Sequence, residues 1–489
     1  MSAPVTKLDR SDGSSRSVVA WVLVPAVVMS LGWGLRGYIG GGPYGAMIPG
    51  ALVSLMLCRF LKLRAEAAAM VVAFGTIGIG CGGNMTYGQT LGLIRLDDSF
   101  WWGLAGTTTK GAVWGLLGGA LMGLGLAARS MSWRHLLLAL VVVLIGMALG
   151  IELVNVPRVV YFSDPINKPR DESWAGILLA AALLLVYVRC VNAGAFRPMA
   201  ILACYGAIGG GLGFGIGSLF LALQPQMSDA WRWLPFWKFM EFTFGFVLGG
   251  SLGLGARQIR NDVESHTGYT VEREHGIEPG AMLTGLVGGA ATVSFVFLLW
   301  PQAILWAFPQ LHELARSSPL MTLADVLTDF PGLGCVMLLI SRRWSVVAWQ
   351  LAISVTIVAA AIDWQRDLLP RGDIDIPASY RTIFILIVAA LSIGFVQRWH
   401  QKRPLEPITL FLFALCVLMG IGYLMGLSMS GIWWPNQEAI GSAGGRTALL
   451  WQTFRSEIVV HVIFTTLFVL SLCFGLREYH DSADFSHLP

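Results

Sequence analysis

Charged residues are scarce in this sequence. Asp, Glu, Lys and Arg make up 13% of the 489 residues, whereas hydrophobic residues make up 55%. Average proteins carry roughly 25% charged residues, so this composition excludes a soluble globular protein and predicts an integral membrane protein. The formal net charge of +4 is also small for the length. A basic surface for nucleic acid is therefore missing, and we expect no nucleic-acid partner.

The sequence also lacks the motifs of nucleotide and metal chemistry. It has no P-loop, no HExxH and no CxxC pair, and its seven cysteines stand singly. The segment Gly78–Gly83 fits the dinucleotide pattern GxGxxG, but it lies inside an apolar run with no strand before it. Only His461 lies deep in an apolar run, which argues against a bis-histidine haem site. We therefore predict no cofactor, no metal site, no disulfide framework and no ATPase domain.

Long apolar runs are abundant, and nearly all are long enough to cross a bilayer core, which takes about 20 residues. We expect the first run to be retained, because it leads into Arg36 without a signal-peptide cleavage site. The tenth run is the shortest. Together the runs predict an all-α polytopic membrane protein of about fourteen transmembrane helices, at 17–37, 43–61, 66–94, 101–127, 135–155, 173–190, 198–223, 235–256, 280–300, 328–342, 344–362, 380–397, 408–428 and 455–476.

The distribution of Lys and Arg between the loops predicts the orientation. With the N-terminus in the cytoplasm, the inner segments hold about twice as many Lys and Arg residues as the outer segments, as the positive-inside rule requires. We therefore predict a multi-pass protein of the cell inner membrane. The tails 1–16 and 477–489 both lie in the cytoplasm in this topology.

One helix pattern recurs four times, at 106–129, 236–257, 380–398 and 454–477. Each copy has a cation near its start, an apolar stretch and a closing cation. Other landmarks recur in the same order, which predicts parallel four-helix repeats about 130 residues apart. Similar composition alone also makes glycine-rich helices resemble one another, so that alternative stays open. The predicted division is repeat unit one at 17–129, unit two at 135–257, a cytoplasmic linker at 258–279, a degenerate unit three at 280–398 and two C-terminal helices at 408–476.

Glycines spaced four apart predict where these helices touch. Such pairs let two helix backbones approach closely in lipid. The pairs that we expect to form contact faces are Gly115/Gly119, Gly213/Gly217, Gly245/Gly249 and Gly249/Gly253.

Unit one concentrates polar and aromatic side chains near the outer ends of its helices. The corresponding helix of unit two, at Gly211–Ser218, has almost none of them, which indicates that unit one holds the site. A cation suits an anionic group, amides and hydroxyls provide hydrogen bonds, and rings stack on a flat or sugar-like ligand. Alternatively, these polar groups satisfy backbone atoms and hold helices together. The predicted substrate-binding residues are Arg36, Tyr38, Tyr44, Asn84, Thr86, Tyr87, Gln89, Thr109 and Lys110.

Acidic residues inside the apolar runs are the candidates for proton or ion coupling, because a charge in hydrocarbon is costly unless it is paired or faces water. We predict this role for Glu152 and Glu241. Glu241 follows Lys238 by three residues and His461 follows Glu457 by four, so each pair shares a helix face and can neutralise itself.

The favoured function is a transporter or permease for a small polar or anionic organic solute, with an outward-facing site in unit one. Its expected partners are membrane lipids, the solute and other membrane subunits. Two alternatives remain. One is a structural subunit of a larger membrane complex. The other is an enzyme that acts at the outer face on a lipid-linked or glycan substrate, with Arg36 and Lys110 holding a phosphate and a loop acid as base.

Overall fold

The computed structural model describes residues 16–164, 169–229, 231, 233–266, 280–307, 319–368, 378–402, 406–429 and 437–485. Nearly all of these residues are helical, and none of them forms a strand. Single turns of π-helix extend α6, α10 and α14 at 151–155, 295–299 and 350–355. The helices are α1 Val18–Ile39, α2 Gly42–Phe60, α3 Ala65–Gly82, α4 Gly88–Leu93, α5 Phe100–Ala127, α6 Trp133–Gly150, α7 Trp174–Val191, α8 Ala193–Leu223, α9 Phe236–His266, α10 Gly280–Ser294, α11 Trp300–Ala307, α12 Pro319–Thr328, α13 Phe330–Arg343, α14 Ser345–Trp349, α15 Thr356–Leu368, α16 Ala378–Lys402, α17 Pro407–Met429, α18 Gln437–Ala443 and α19 Arg446–Phe485.

The number of membrane-spanning helices agrees with the sequence prediction. Within the described part of the chain, thirteen helices are long and apolar enough to cross a membrane, or fourteen if one bent pair is a single span. That pair is α12 and α13, which meet at 51° and fall at the short tenth predicted span. Pro331 lies in the first turn of α13, where it lacks an N–H and disfavours helix in the residue before it. The chain is therefore a multi-pass membrane protein.

Short polar side chains cap several of the long helices and fix where they begin. Ser17 Oγ accepts a hydrogen bond from the Ala20 amide at 3.2 Å, and Ser132 Oγ accepts one from the His135 amide at 3.2 Å. Such caps satisfy an amide that has no partner inside the helix.

The third helix ends earlier than the sequence predicts. The predicted span 66–94 is in fact α3, which stops at Gly82, followed by a turn and the short α4. Gly82 and Gly83 lie at the break, where the ring of Trp114 and the backbone of Gly42 occupy the space that side chains would need. The prediction of one continuous helix over 66–94 is therefore wrong.

Six helices form the core of the fold as a closed ring. In order, α1, α2, α3, α5, α8 and α9 each contact the next, and α9 returns to α1. The other spans lie outside this ring. Helices α6 and α7 pack against each other, and α7 also contacts α5 and α8, whereas α17 and α19 lie against α1.

Glycine faces bring the ring helices together as the sequence predicts. A Cβ atom at Gly115 in α5 would overlap the carbonyl oxygen of Gly206 in α8, and a Cβ at Gly206 would overlap that of Gly115. The predicted faces of α8 and α9 behave in the same way: Gly213 and Gly217 lie on the backbone of α9, and Gly245, Gly249 and Gly253 lie on the backbone of α1. The glycines serve helix contact, as close packing in lipid requires.

The four-helix repeat stays a prediction. Some pairings recur, since α3 packs on α5 as α8 packs on α9, and α1 packs on α2 as α6 packs on α7. However, α1 and α2 belong to the ring, whereas α6 and α7 lie outside it. The predicted units therefore occupy unlike surroundings, and the packing does not decide between duplication and similar composition.

Candidate functional site

The break between α3 and α4, residues 83–87, is the centre of the candidate site. Three amides in it bond three residues back, from Gly83 to Gly80, from Asn84 to Cys81 and from Met85 to Gly82. This tight winding ends the helix and leaves Tyr87 to face the interior of the ring. Broken helices that line a cavity are a recurrent feature of solute sites in membrane proteins.

Arg36 lies on the inner side of this break, near the end of α1. Its side chain is buried, and Nη1 donates a hydrogen bond to the hydroxyl of Tyr87 at 2.6 Å. The guanidinium carbon lies 5.6 Å from the ring centre of Trp33, 5.5 Å from that of Tyr87 and 5.4 Å from that of Trp114. Three ring faces therefore surround one cation, and each such contact contributes about 0.5–2 kcal/mol when water is excluded.

Arg36 lacks the partner that a buried cation usually has. Within the described ranges its Nε atom has no hydrogen-bond acceptor, and its guanidinium makes no ion pair with a carboxylate. Burying an unpaired charge costs several kcal/mol, and the aromatic rings offset only part of that cost. The site is thus electrostatically incomplete, with a planar donor group left to bind an anion.

We expect Tyr87→Phe to destabilise the protein by about 1–3 kcal/mol, because Arg36 then loses the acceptor of its 2.6 Å hydrogen bond while the ring contacts remain. Thermal unfolding in detergent measures this loss. Tyr161→Phe is the control, since the described hydrogen-bond partners of the Tyr161 hydroxyl are backbone atoms of Arg170 near the surface. Equal losses in the two variants would contradict the role of Tyr87.

Lys110 lies in a separate and fully buried group. Its ammonium donates to the carbonyl of Thr86 at 2.7 Å, to Thr90 Oγ1 at 2.8 Å and to Glu172 Oε1 at 2.8 Å. The side chains of Lys110 and Glu172 are both 0% exposed. All three ammonium donors are used, so the charge of Lys110 is compensated by Glu172 and not left for a solute.

Hydrogen bonds of this group hold the segment before α7 against the break between α3 and α4. Glu172 also accepts from Ser163 Oγ at 2.7 Å and from the Phe162 amide at 3.1 Å. From the other side, Thr86 Oγ1 donates to the carbonyl of Asp171, and Gln89 Oε1 accepts from the Asp164 amide at 3.2 Å. Thr86 and Gln89, predicted as solute ligands, thus bond the chain's own backbone.

A third group contains Tyr38, whose side chain points away from Arg36. Its hydroxyl donates to Glu457 of α19, and the Lys238 ammonium lies 4.9 Å from its ring centre. Glu241, a predicted coupling residue, accepts from Lys238 at 2.7 Å and from the Trp237 indole at 2.9 Å. The Lys238–Glu241 pair neutralises itself, as its spacing indicates.

The remaining predicted residues lie apart. Tyr44 packs between the rings of Phe297 and Phe330, at 5.7 Å and 5.2 Å. Glu152 accepts a hydrogen bond from Thr322 at 2.8 Å. Asn84 and Thr109 are partly exposed, and the described contacts include no side-chain hydrogen bond for either. Among the described contacts, Arg36 and Tyr87 are the only two of the nine predicted ligands that meet side chain to side chain, and the whole ligand set stays a prediction.

The sequence pattern missed three important residues. Glu172 lies among other loop acids, Trp114 lies inside an apolar stretch, and Thr90 lies among other polar residues. None carries a local signal for its role, because each acquires it from helices that are distant in the chain. A buried lysine needs a carboxylate somewhere, and that rule alone could have prompted a search for Glu172.

The chain matches no protein-family model, no curated protein and no solved structure.

Proposed function

We propose that this protein is a multi-pass inner-membrane transporter for a small anionic organic solute, such as a carboxylated or phosphorylated sugar. The observation that carries the proposal is the buried Arg36, which rests on three aromatic rings and has an N–H without a described acceptor. A carboxylate or phosphate would accept from the guanidinium fork, and the rings would contact the flat faces of the solute.

The side chains inside the ring of helices support alternating access, and not a permanent channel, as the mode of transport. One helical turn from Arg36, Trp33 packs on Trp114 at 5.0 Å and on Phe244 at 4.5 Å, and Phe214 stacks on Phe244 at 4.8 Å. These rings come from α1, α5, α8 and α9 and contact one another beside Arg36, so we expect a solute bound there to pass only after a rearrangement. In the topology predicted from Lys and Arg, the site opens to the outer face and both termini are cytoplasmic.

Binding is tested in detergent with three probes: gluconate, glucose 6-phosphate and uncharged glucose. We expect at least one of the anions to raise the unfolding temperature and change the tryptophan fluorescence, because Trp33 and Trp114 line the site, whereas glucose does neither. Arg36→Gln should lose the response to the anion, by about tenfold or more in affinity, since a charged hydrogen bond contributes about 1.5–3 kcal/mol.

Arg197→Gln is the matched control, because Arg197 lies in an exposed ion pair with Asp262 and should leave the response intact. If neither anion affects the wild type, or if the anion affects Arg36→Gln as strongly as it affects the wild type, the proposed site is wrong. Uptake of the labelled anion into proteoliposomes then separates a transporter from a structural subunit, which would bind without accumulating the solute. Turnover of the probe in detergent, with no gradient, would favour the enzyme.

A further inference from the structure

Four ionisable side chains meet where α1, α17 and α19 pack together. Tyr38 of α1 donates its hydroxyl to Glu457 Oε2 of α19. His461, one turn further along α19, has its Nε2 atom 3.8 Å from the same Glu457 oxygen. The His461 ring stacks on Tyr423 of α17, with ring centres 6.1 Å apart and an interplanar angle of 18°.

The His461 imidazole and the Glu457 carboxylate can each accept a further hydrogen bond or a proton. The His461 Nδ1 atom is buried and has no hydrogen-bond partner in the described part of the chain. Glu457 makes no ion pair with a lysine or arginine there, and its described partners are Tyr38 and His461. A carboxylate and an imidazole this close titrate as a coupled pair, in which one proton added to either group changes the state of both.

We propose that Glu457 and His461, oriented by Tyr38 and Tyr423, form a proton-binding site that drives the solute transport proposed above. The exchange is a simple proton transfer. A proton from water binds the carboxylate or the imidazole as one O–H or N–H bond, and the same bond breaks when the proton returns to water. This inference rests on the proposed function for its role in coupling, but proton binding itself can be tested without it.

The charges around the cluster make it the best proton site among the candidates. From α9, Lys238 faces the ring of Tyr38, but its charge is compensated by Glu241 at 2.7 Å. Other charged side chains nearby are Glu438 of α18 and Arg455 of α19, and both are exposed. Glu241 already has its cation, whereas no Lys or Arg of the described residues pairs with Glu457, so Glu457 accepts a proton more readily.

The last turn of α1 links this cluster to the solute site. Arg36 and Tyr38 lie two residues apart, with Arg36 inside the ring and Tyr38 turned towards α19. Between them, Gly37 lies against the Glu241 carboxylate, and the turn that follows contains Gly42 at a φ of +71°. A shift of this turn on protonation of Glu457 would move the guanidinium of Arg36 as well, which is the physical basis for coupling two sites.

Infrared difference spectroscopy tests proton binding directly. Titration of the purified protein between about pH 5 and about pH 8, the range in which histidine titrates, should show the band of a protonated carboxyl group at the acidic end. The band should vanish in Glu457→Gln and persist in Glu406→Gln, an exposed acid next to α17 that serves as the control. Tyr38→Phe retains the acid and the histidine, and it should move the midpoint to higher pH because the carboxylate loses a donor.

A carboxyl band that is absent from the wild type, or unchanged in Glu457→Gln, would overturn the proton site. Coupling is then measured as uptake of labelled gluconate or glucose 6-phosphate under an imposed pH gradient. Because glutamine mimics the protonated acid, we expect Glu457→Gln to bind the anion with an affinity that no longer changes with pH, and to lose about tenfold or more of the gradient-driven rate. Gradient-driven uptake that survives in Glu457→Gln would refute the coupling. Loss of anion binding in Arg36→Gln alone bears on the proposed function and not on the proton site.

Discussion

Replacing Lys110 by methionine is expected to destabilise the protein by about 3–5 kcal/mol, the cost of leaving one member of a buried ion pair without its partner. The variant leaves the Glu172 carboxylate at 0% exposure without its cation, although Ser163 and the Phe162 amide still donate to it. It also removes the donor that holds Thr86 and Thr90. Thermal or denaturant unfolding in detergent measures the loss.

The double variant Lys110→Met/Glu172→Gln separates the pair from general packing. Because it removes both charges, it should recover a large part of the lost stability, and the difference from the two single variants gives the coupling energy. Arg197→Met is the surface control, and we expect a change of about 1 kcal/mol or less from its exposed pair with Asp262. A Lys110→Met loss no larger than that of Arg197→Met would show that the buried pair does not hold this region together.

Gly115→Leu is expected to prevent α5 and α8 from packing. Even a Cβ atom at this position would overlap the carbonyl oxygen of Gly206, and a backbone atom cannot rotate aside as a side chain can. Overpacking typically costs about 1–3 kcal/mol and sometimes more. We expect a loss of stability at or above the upper end of this range, because two helices of the closed ring must separate. The measurement is the yield of monodisperse protein in detergent together with its unfolding temperature.

Gly420→Leu is the matched control for this substitution. Gly420 also lies within an apolar helix, α17, but it is exposed and no described atom lies within 4 Å of a Cβ placed there. It should fold and unfold like the wild type. If Gly115→Leu behaves like Gly420→Leu, the glycine face between α5 and α8 is not a tight contact.

Helices and their contact faces could be read from the sequence because both depend on local composition. An apolar run of about 20 residues must form a helix in hydrocarbon, where the backbone has no other hydrogen-bond partner. Glycines spaced four apart form a helix face without side chains, and Gly115, Gly213 and Gly249 all lie at helix contacts. The exception is α3, which ends at Gly82, where Trp114 and Gly42 from other parts of the chain occupy the space that side chains would need.

The site could be predicted only in part, because its side chains come from helices that are distant in the chain. Arg36 was identified because a cation inside an apolar run is conspicuous, but the rings that surround it come from α1, α5 and the residue before α4. Lys110 was equally conspicuous, yet its carboxylate lies 62 residues away in the segment before α7. For that reason Arg36 is the cation of the proposed solute site, and Lys110 is not included in it.

The sequence by itself determined that this is an all-helical, multi-pass membrane protein, and it located the spans and the glycine faces, since burial in lipid constrains each stretch of chain separately. Only the tertiary structure decided which charges meet. Lys110 reaches Glu172 across 62 residues, and Tyr38 reaches Glu457 across 419 residues. Such pairings depend on how the helices pack around the ring, and that arrangement leaves Arg36 with rings around it and no described carboxylate.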